Sequence, residues 1–303
     1  MRKIILLITG FIFLFASVGR AQEDAVKTDP SGVSDISLSI FNNVRPLMLK
    51  KGQVLINFRS SFLNYYKIYS QQTGKPEKIP SVVVWNESYF NGYVTYGLSD
   101  KWNLFLELPF ANIHHYSPMG RASGVCFGDI KAGVDYQLMK KAGDALAARV
   151  TLGFPTGTYK NLDAGQYPTG LGSFTFKAQL SGMHQFKKVQ MLYSGYYDYR
   201  TNRQGISTGD ETGLYLIFRK PFKTGFGLFG IEGGTTAYWN FADKKDGAVL
   251  PNTADYSVDL YVGGWFQYMK KFNIRFAVPY SIYQNNSWLT RYTVMIQFDY
   301  LLK

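Results

Sequence analysis

A single cysteine, Cys126, stands in the 303 residues, so no internal disulfide can staple the fold, and a small bridged scaffold is excluded. Histidine is almost as scarce, with His114, His115 and His184 only. Zinc-ligand spacing, a Gly-x-Ser-x-Gly turn and a glycine-rich nucleotide loop are all missing. Beyond the first 21 residues no run of 18 apolar residues occurs, which excludes spanning helices. Yet hydrophobic residues make up 46% of the chain, with 23 Tyr and 23 Phe among them. Without spanning helices only a closed β-barrel can cross a bilayer, and such a barrel carries aromatic girdles where its wall meets the headgroups.

The N-terminus sets the compartment. Met1-Arg2-Lys3 is a basic start, Ile4 to Val18 form an apolar run, and Gly19-Arg20-Ala21 offers small residues at a cleavage point. That is the layout of a secretory signal peptide, and the run is too short to span a membrane as a helix. The expected organisation is a signal at 1–21, a periplasmic segment at 22–50, and a barrel at 51–303. The mixed stretch Ile36 to Leu49 reads either as a loose leader or as a plug folded up into the barrel.

From Val54 onward the chain alternates with period two between turn signals. Val54, Ile56, Phe58 and Phe62 share a face opposite Asn57, Arg59 and Lys67. Trp102, Leu104, Leu106 and Leu108 oppose Asn103 and Glu107, and Leu214, Leu216 and Phe218 oppose Arg219. Tyr256, Val258, Leu260 and Val262 oppose Asp255 and Asp259, while Phe272, Ile274, Phe276 and Val278 oppose Asn273 and Arg275. Twelve such segments are counted, the last running from Trp288 to Tyr300. Away from strand ends no charge falls on the apolar face, where Lys or Arg at the bilayer midplane would cost about 2–4 kcal/mol. A soluble sandwich also alternates, but does not put such large aromatics on one face of every strand. The predicted fold is therefore all-β, a transmembrane antiparallel up-and-down barrel of about 12 strands.

The connections agree. Tight links at Ser99-Asp100, Lys140 to Asp144, Lys187-Lys188, Pro221 to Thr224 and Met269 to Lys271 alternate with longer ones. Those fall at Ser70 to Ser81, Ser117 to Gly124, Gly157 to Thr169, Thr201 to Asp210 and Ala242 to Ala254. Short periplasmic turns and longer extracellular loops are the usual asymmetry of such barrels. Part of the net charge of +12 lies at the short turns, in pairs such as Lys140-Lys141, Lys187-Lys188 and Lys270-Lys271. There it suits anionic headgroups, so membrane lipids rather than nucleic acid are the expected partner. The alternating aromatics that end at Tyr300 suit recognition by barrel-assembly machinery.

The opposite parity gives the expected lumen. Its basic candidates are Arg59, Lys67, Lys131, Arg149, Lys177, Arg200, Arg219, Arg275 and Arg291. Against them stand Glu87, Glu107, Asp129, Asp135, Asp198, Glu232, Asp255, Asp259 and Asp299. So even a balance predicts a paired network rather than a selectivity ring of one sign. Three prolines, Pro109, Pro155 and Pro279, sit at similar depth on strands that run outward from short turns. Proline donates nothing to a ladder, so each marks a break in pairing. The break is either an ordinary rim bend or a place where the wall opens sideways to apolar solutes.

Three stretches carry a resemblance. Tyr93 to Phe110 reads Tyr-Val-Thr-Tyr-Gly-Leu-Ser-Asp-Lys-Trp-Asn-Leu-Phe-Leu-Glu-Leu-Pro-Phe, Gly128 to Tyr136 reads Gly-Asp-Ile-Lys-Ala-Gly-Val-Asp-Tyr, and Gly153 to Gly157 reads Gly-Phe-Pro-Thr-Gly. With Asn43-Val44-Arg45-Pro46 and Lys51-Gly52, these resemble the outer-membrane family named for the meta-pathway of phenol degradation. The resemblance implies a barrel that moves small, often aromatic, compounds inward; it carries over no binding residues and no cofactor. Two rival readings stand beside it. A lipid-hydrolysing barrel needs a lipid-facing Ser beside a His, and Ser88 with His114 are the available pair, about three residues out of register. His114 and His115 point to opposite faces and make no metal pair. A structural barrel whose loops bind a partner needs no lumen chemistry at all.

Overall fold

The computed structural model describes residues 46–69, 76–78, 84–117, 120–158, 169–203, 206–225, 227–250, 253–268, 271–285 and 288–302. The expected signal peptide and most of the segment 22–50 lie outside them, as do the side chains of Lys67 and Arg291.

Twelve long strands form one antiparallel wall: β1 (Val54–Tyr69), β2 (Val84–Ser99), β3 (Trp102–Ser117), β4 (Lys131–Lys141), β5 (Asp144–Gly153) and β6 (Thr175–Phe186), then β7 (Val189–Arg200), β8 (Glu211–Thr224), β9 (Gly227–Asn240), β10 (Asp255–Tyr268), β11 (Phe272–Asn285) and β12 (Trp288–Leu302). Each pairs with the next, and β12 returns to β1 from Val54↔Leu302 to Ile68↔Trp288, so the sheet closes into a barrel. The up-and-down barrel read from the alternation is the fold.

The pleat sorts the side chains as period two requires. Phe58, Leu104, Leu106, Phe176, Phe218, Leu260 and Phe276 stand exposed on the outer face, while Asn57, Asn103, Asp135, Arg219 and Arg275 are buried on the inner one. An exposed apolar belt of this size is unstable in water and stable against acyl chains. On its surface Phe58, Phe90, Phe110 and Phe127 form a ladder, with successive centroids 6.1, 6.1 and 5.6 Å apart.

Turns alternate as read, with three differences. The link after β8 lies past Thr224 and not at Pro221, which is still in the strand opposite Gly230. It is tolerated because β8 has already left β7 at Arg219↔Gln190, so no ladder bond needs its missing donor. Part of the stretch read as a loop after Ser117 turns back as a strand, Gly120–Phe127, paired on β3 from Ser117↔Gly120 to Phe110↔Phe127. Two long loops share a four-stranded sheet made of Asn202–Arg203, Ile206–Ser207, Lys244–Lys245 and Ala248–Val249. At the opposite end the two-residue turns need left-handed backbone, found at Gly143 (φ 82°) and Lys187 (φ 44°).

Candidate functional site

The barrel interior differs between its two ends. In the long-loop half the inner wall is lined by tyrosines, Tyr65 and Tyr89 half-buried and Tyr93 and Tyr196 buried, whose hydroxyls are tied to carboxylates. Tyr65 and Tyr89 both donate to Glu87 Oε2, at 2.9 and 2.7 Å. Tyr93 accepts from Arg59 at 2.9 Å and donates to Glu107 at 3.1 Å, and Lys131 stands 3.6 Å from the same carboxylate. On the facing strands Tyr196 donates to Glu211 at 2.5 Å, and Arg200 donates to that carboxylate at 2.7 Å. The rings of Tyr196 and Tyr215 stack at 5.9 Å, and Lys177 lies 4.2 Å over Tyr196 while reaching Asp198 at 3.3 Å. Asp259 accepts from Ser257 at 2.7 Å and Ser281 at 2.5 Å. The sequence reading assigns the other charges here but misses Glu211 and the tyrosines, although Tyr89, Tyr93, Tyr196, Tyr215 and Tyr261 all share the parity of the charges.

The short-turn half is packed. Arg149 grips Asp135 with two hydrogen bonds, of 2.5 and 3.0 Å, and lies 4.2 Å over the Phe105 ring. Arg219 and Arg275 flank Trp265 at 5.7 and 5.8 Å. Arg275 stands 3.6 Å from Glu232 and 3.7 Å from Asp299, while Arg219 Nε donates to Gln190 at 2.8 Å. Trp265 rests flat on Gly230, where a Cβ would meet the indole at 2.3 Å. Arg219, Glu232, Arg275 and Asp299 are each at most 3% exposed, so this layer is a floor of paired charge. The two carboxylates beside Arg275 offset its burial, whereas Nη1 and Nη2 of Arg219 and both carboxylate oxygens of Glu232 have no hydrogen-bond partner among the described residues, so the floor is costly to bury.

An apolar band adjoins this floor, and the period-two reading did not foresee it. Ala145, Met183, Leu192, Ile217, Tyr261 and Ala277 are all buried on the inner face, with Met295 and Leu47 packed against them. Leu47 belongs to the strap Pro46–Lys50, which runs inside the wall at the short-turn end. There Gln137 Nε2 donates to the Pro46 carbonyl at 2.8 Å and Asn103 Oδ1 accepts from the Leu49 amide at 3.2 Å. Leu49 is fully buried beside Leu55 and Leu301.

The remaining sequence candidates fall as follows. Asp129 lies between β3 and β4 and binds loop backbone instead of a lumen charge, accepting from the amides of Gly157 at 2.9 Å and Leu171 at 2.6 Å. Asn240 donates to Asp255 at 2.6 Å. Pro155 lies beyond the end of β5 and Pro109 sits where β3 leaves β4, its carbonyl taking the Gly128 amide at 2.8 Å. Pro279, within β11, faces Tyr261 of β10. Ser88 pairs with Asn112 and His114 with Asn86, so serine and histidine are not opposite one another. His184 meets Asp144 at 2.5 Å. Among the described residues no group of three or more His, Cys, Asp or Glu could hold a metal ion.

The fold has solved counterparts. An outer membrane channel from Pseudomonas putida F1 superposes with a TM-score of 0.69 at 16% identity, over 84% of this chain and 97% of that one. A NanC porin aligns with a TM-score of 0.47 at 10% identity, over 81% and 98%. No curated protein matches the sequence. The family model described as "Putative MetA-pathway of phenol degradation" matches residues 81–292, from β2's approach to the upper part of β12, and by that match the chain belongs to this family.

Proposed function

We propose that this barrel is an outer-membrane channel for small solutes, aromatic and apolar ones above all, which enter at the long-loop end. The observation that carries the reading is the tyrosine-lined half of the lumen. A phenol ring offers a stacking face and a polar edge, and pairs of rings add about 0.5–1.5 kcal/mol beyond area burial. The charges among the rings are neutralised by one another, so the wall does not sort ions by sign, and charge is not what it selects. The lumen-lining set then comprises Arg59, Glu87, Glu107, Lys131, Asp135, Arg149, Lys177, Asp198, Arg219, Glu232, Asp259 and Arg275, with the tyrosines added. The strap Pro46–Lys50 closes part of the periplasmic mouth as a plug. Export through a cleaved signal peptide and insertion by barrel-assembly machinery complete the proposal; no catalytic step or cofactor is involved.

One observation favours a second reading, a structural barrel without transport: the floor of paired charge is almost fully buried. Single-channel conductance of the refolded chain in a planar bilayer separates the two. Small discrete steps that benzyl alcohol or benzoate blocks are expected. A bilayer that stays silent, with folding established by heat-modifiable migration, and that stays silent when the strap is displaced, supports the structural reading.

A further inference from the structure

Barrel strands that separate while both continue leave a seam, and β11 and β12 do so. Their pairing runs from Phe272↔Tyr300 to Ala277↔Met295 and no further among the described residues. Above that level β11 continues to Asn285 on the arm of β10, and β12 starts at Trp288 on the arm of β1. Continuing the register would set Pro279 against Thr293, and proline has no amide hydrogen to give there. Both strands are also bulged against their other neighbours at this height, at Val258/Asp259 and at Asn64 to Lys67, and bulges bend a strand away from its partner.

The other two prolines do not make such a seam. Above Pro109 the place of β4 is taken by the returning strand Gly120–Phe127, which pairs along β3. Pro155 lies past the end of its strand. The β11–β12 seam begins, moreover, at Ala277 and Met295, and both belong to the apolar band above the charged floor. Its outer flank is apolar too, with Val278, Tyr280 and Ile282 exposed on the lipid face.

We propose that this seam is a lateral portal. A small apolar solute descends the tyrosine-lined half, is stopped by the packed floor, and leaves between β11 and β12 into the bilayer. The ladder bonds that a sideways exit would otherwise have to break are already given up there. The inference rests on the channel reading above and assigns it a route for the apolar members of its solutes.

The test uses cells making the full chain with Cys126→Ser, and two probes. N-phenyl-1-naphthylamine brightens on reaching lipid, and nitrocefin, far too large for the packed floor, reports any general leak of the outer membrane through a resident β-lactamase. Val278→Cys with Val294→Cys allows the seam to be stapled, and Pro279→Val separately restores the missing donor. Each variant, shown to fold by heat-modifiable migration, is expected to lower naphthylamine uptake several-fold and leave nitrocefin passage unchanged; reduction should restore the stapled one. Naphthylamine uptake that persists with the seam fully cross-linked, or with Pro279→Val folded, overturns the portal. If cells making the unaltered chain take up naphthylamine no faster than cells lacking it, the channel reading itself fails.

Discussion

Gly97 and Lys50 meet backbone to backbone: a Cβ at Gly97 would stand 2.2 Å from the Lys50 carbonyl oxygen and 3.0 Å from Leu49 Cβ. The contact exists because β2 bonds the residues just after the strap, with Gly52 donating to the Gly97 carbonyl at 2.8 Å and Gly97 to that of Gln53 at 2.8 Å. Glycine here serves close approach and not a special φ.

Gly97→Ala is therefore expected to push the strap off the wall, at about 1–3 kcal/mol of overpacking. Barrel closure itself should survive, since the pairing of β1 with β2 continues for many residues above. Limited proteolysis of the refolded protein checks this: cleavage on the N-terminal side of Lys51 should quicken, and conductance steps should grow. Unchanged cleavage would mean that the strap does not depend on this contact.

Arg275 gives the second prediction. It stands between Glu232 and Asp299 in the buried floor. Removing one partner of such a set strands the others, and Arg275→Met should cost about 3–5 kcal/mol. Adding Glu232→Gln should recover part of that loss, because one stranded charge goes with it. Urea unfolding of the refolded barrel in detergent measures both, and additive losses would deny the coupling.

How much of this was legible beforehand depended on what each residue's burial is decided by. Period two placed Phe58 outside and Asn57 inside, because a lipid wall penalises every misplaced charge and the pleat leaves only two choices. It also located Arg149, Asp135, Lys177 and Asp198 on one face, and the ladder then brought them into pairs. The tyrosines were misread by chemistry, since Tyr suits a headgroup girdle as well as a lumen, and parity alone separates Tyr196 from Tyr197. The apolar band was hidden because Leu192 and Ile217 fall on the polar parity, where a single aliphatic residue looks like noise. Asp129 follows no strand period, and its loop amides come from Gly157 and Leu171, distant in sequence. The seam needed pairing information: Pro109 and Pro279 read alike in the chain, and only the returning strand Gly120–Phe127 tells them apart.

The lipid face supplies the third prediction. Val262 is 67% exposed at the middle of β10, where its neighbours would be acyl chains. Val262→Arg should lower stability by about 2–4 kcal/mol in phospholipid vesicles. Val262→Leu, which keeps the apolar contact, should stay within about 0.5 kcal/mol. Equal effects of the two changes would argue that the outer face meets water.

The last prediction uses two tyrosines on opposite faces of the wall. Tyr215, stacked on Tyr196 in the lumen, and Tyr197, 46% exposed outside, lie on neighbouring strands. If solutes stack on the inner rings, Tyr215→Leu removes one face worth about 0.5–1.5 kcal/mol, or roughly a two- to tenfold weaker block of conductance by benzyl alcohol. Tyr197→Leu changes only a lipid contact and a hydroxyl bond to Asp210, so block should be unaltered. Ion conductance without solute should differ little for either, since neither substitution moves a charge. Titrating block in the same bilayers decides the matter: equal block in both variants would remove the Tyr196–Tyr215 stack from the solute's path.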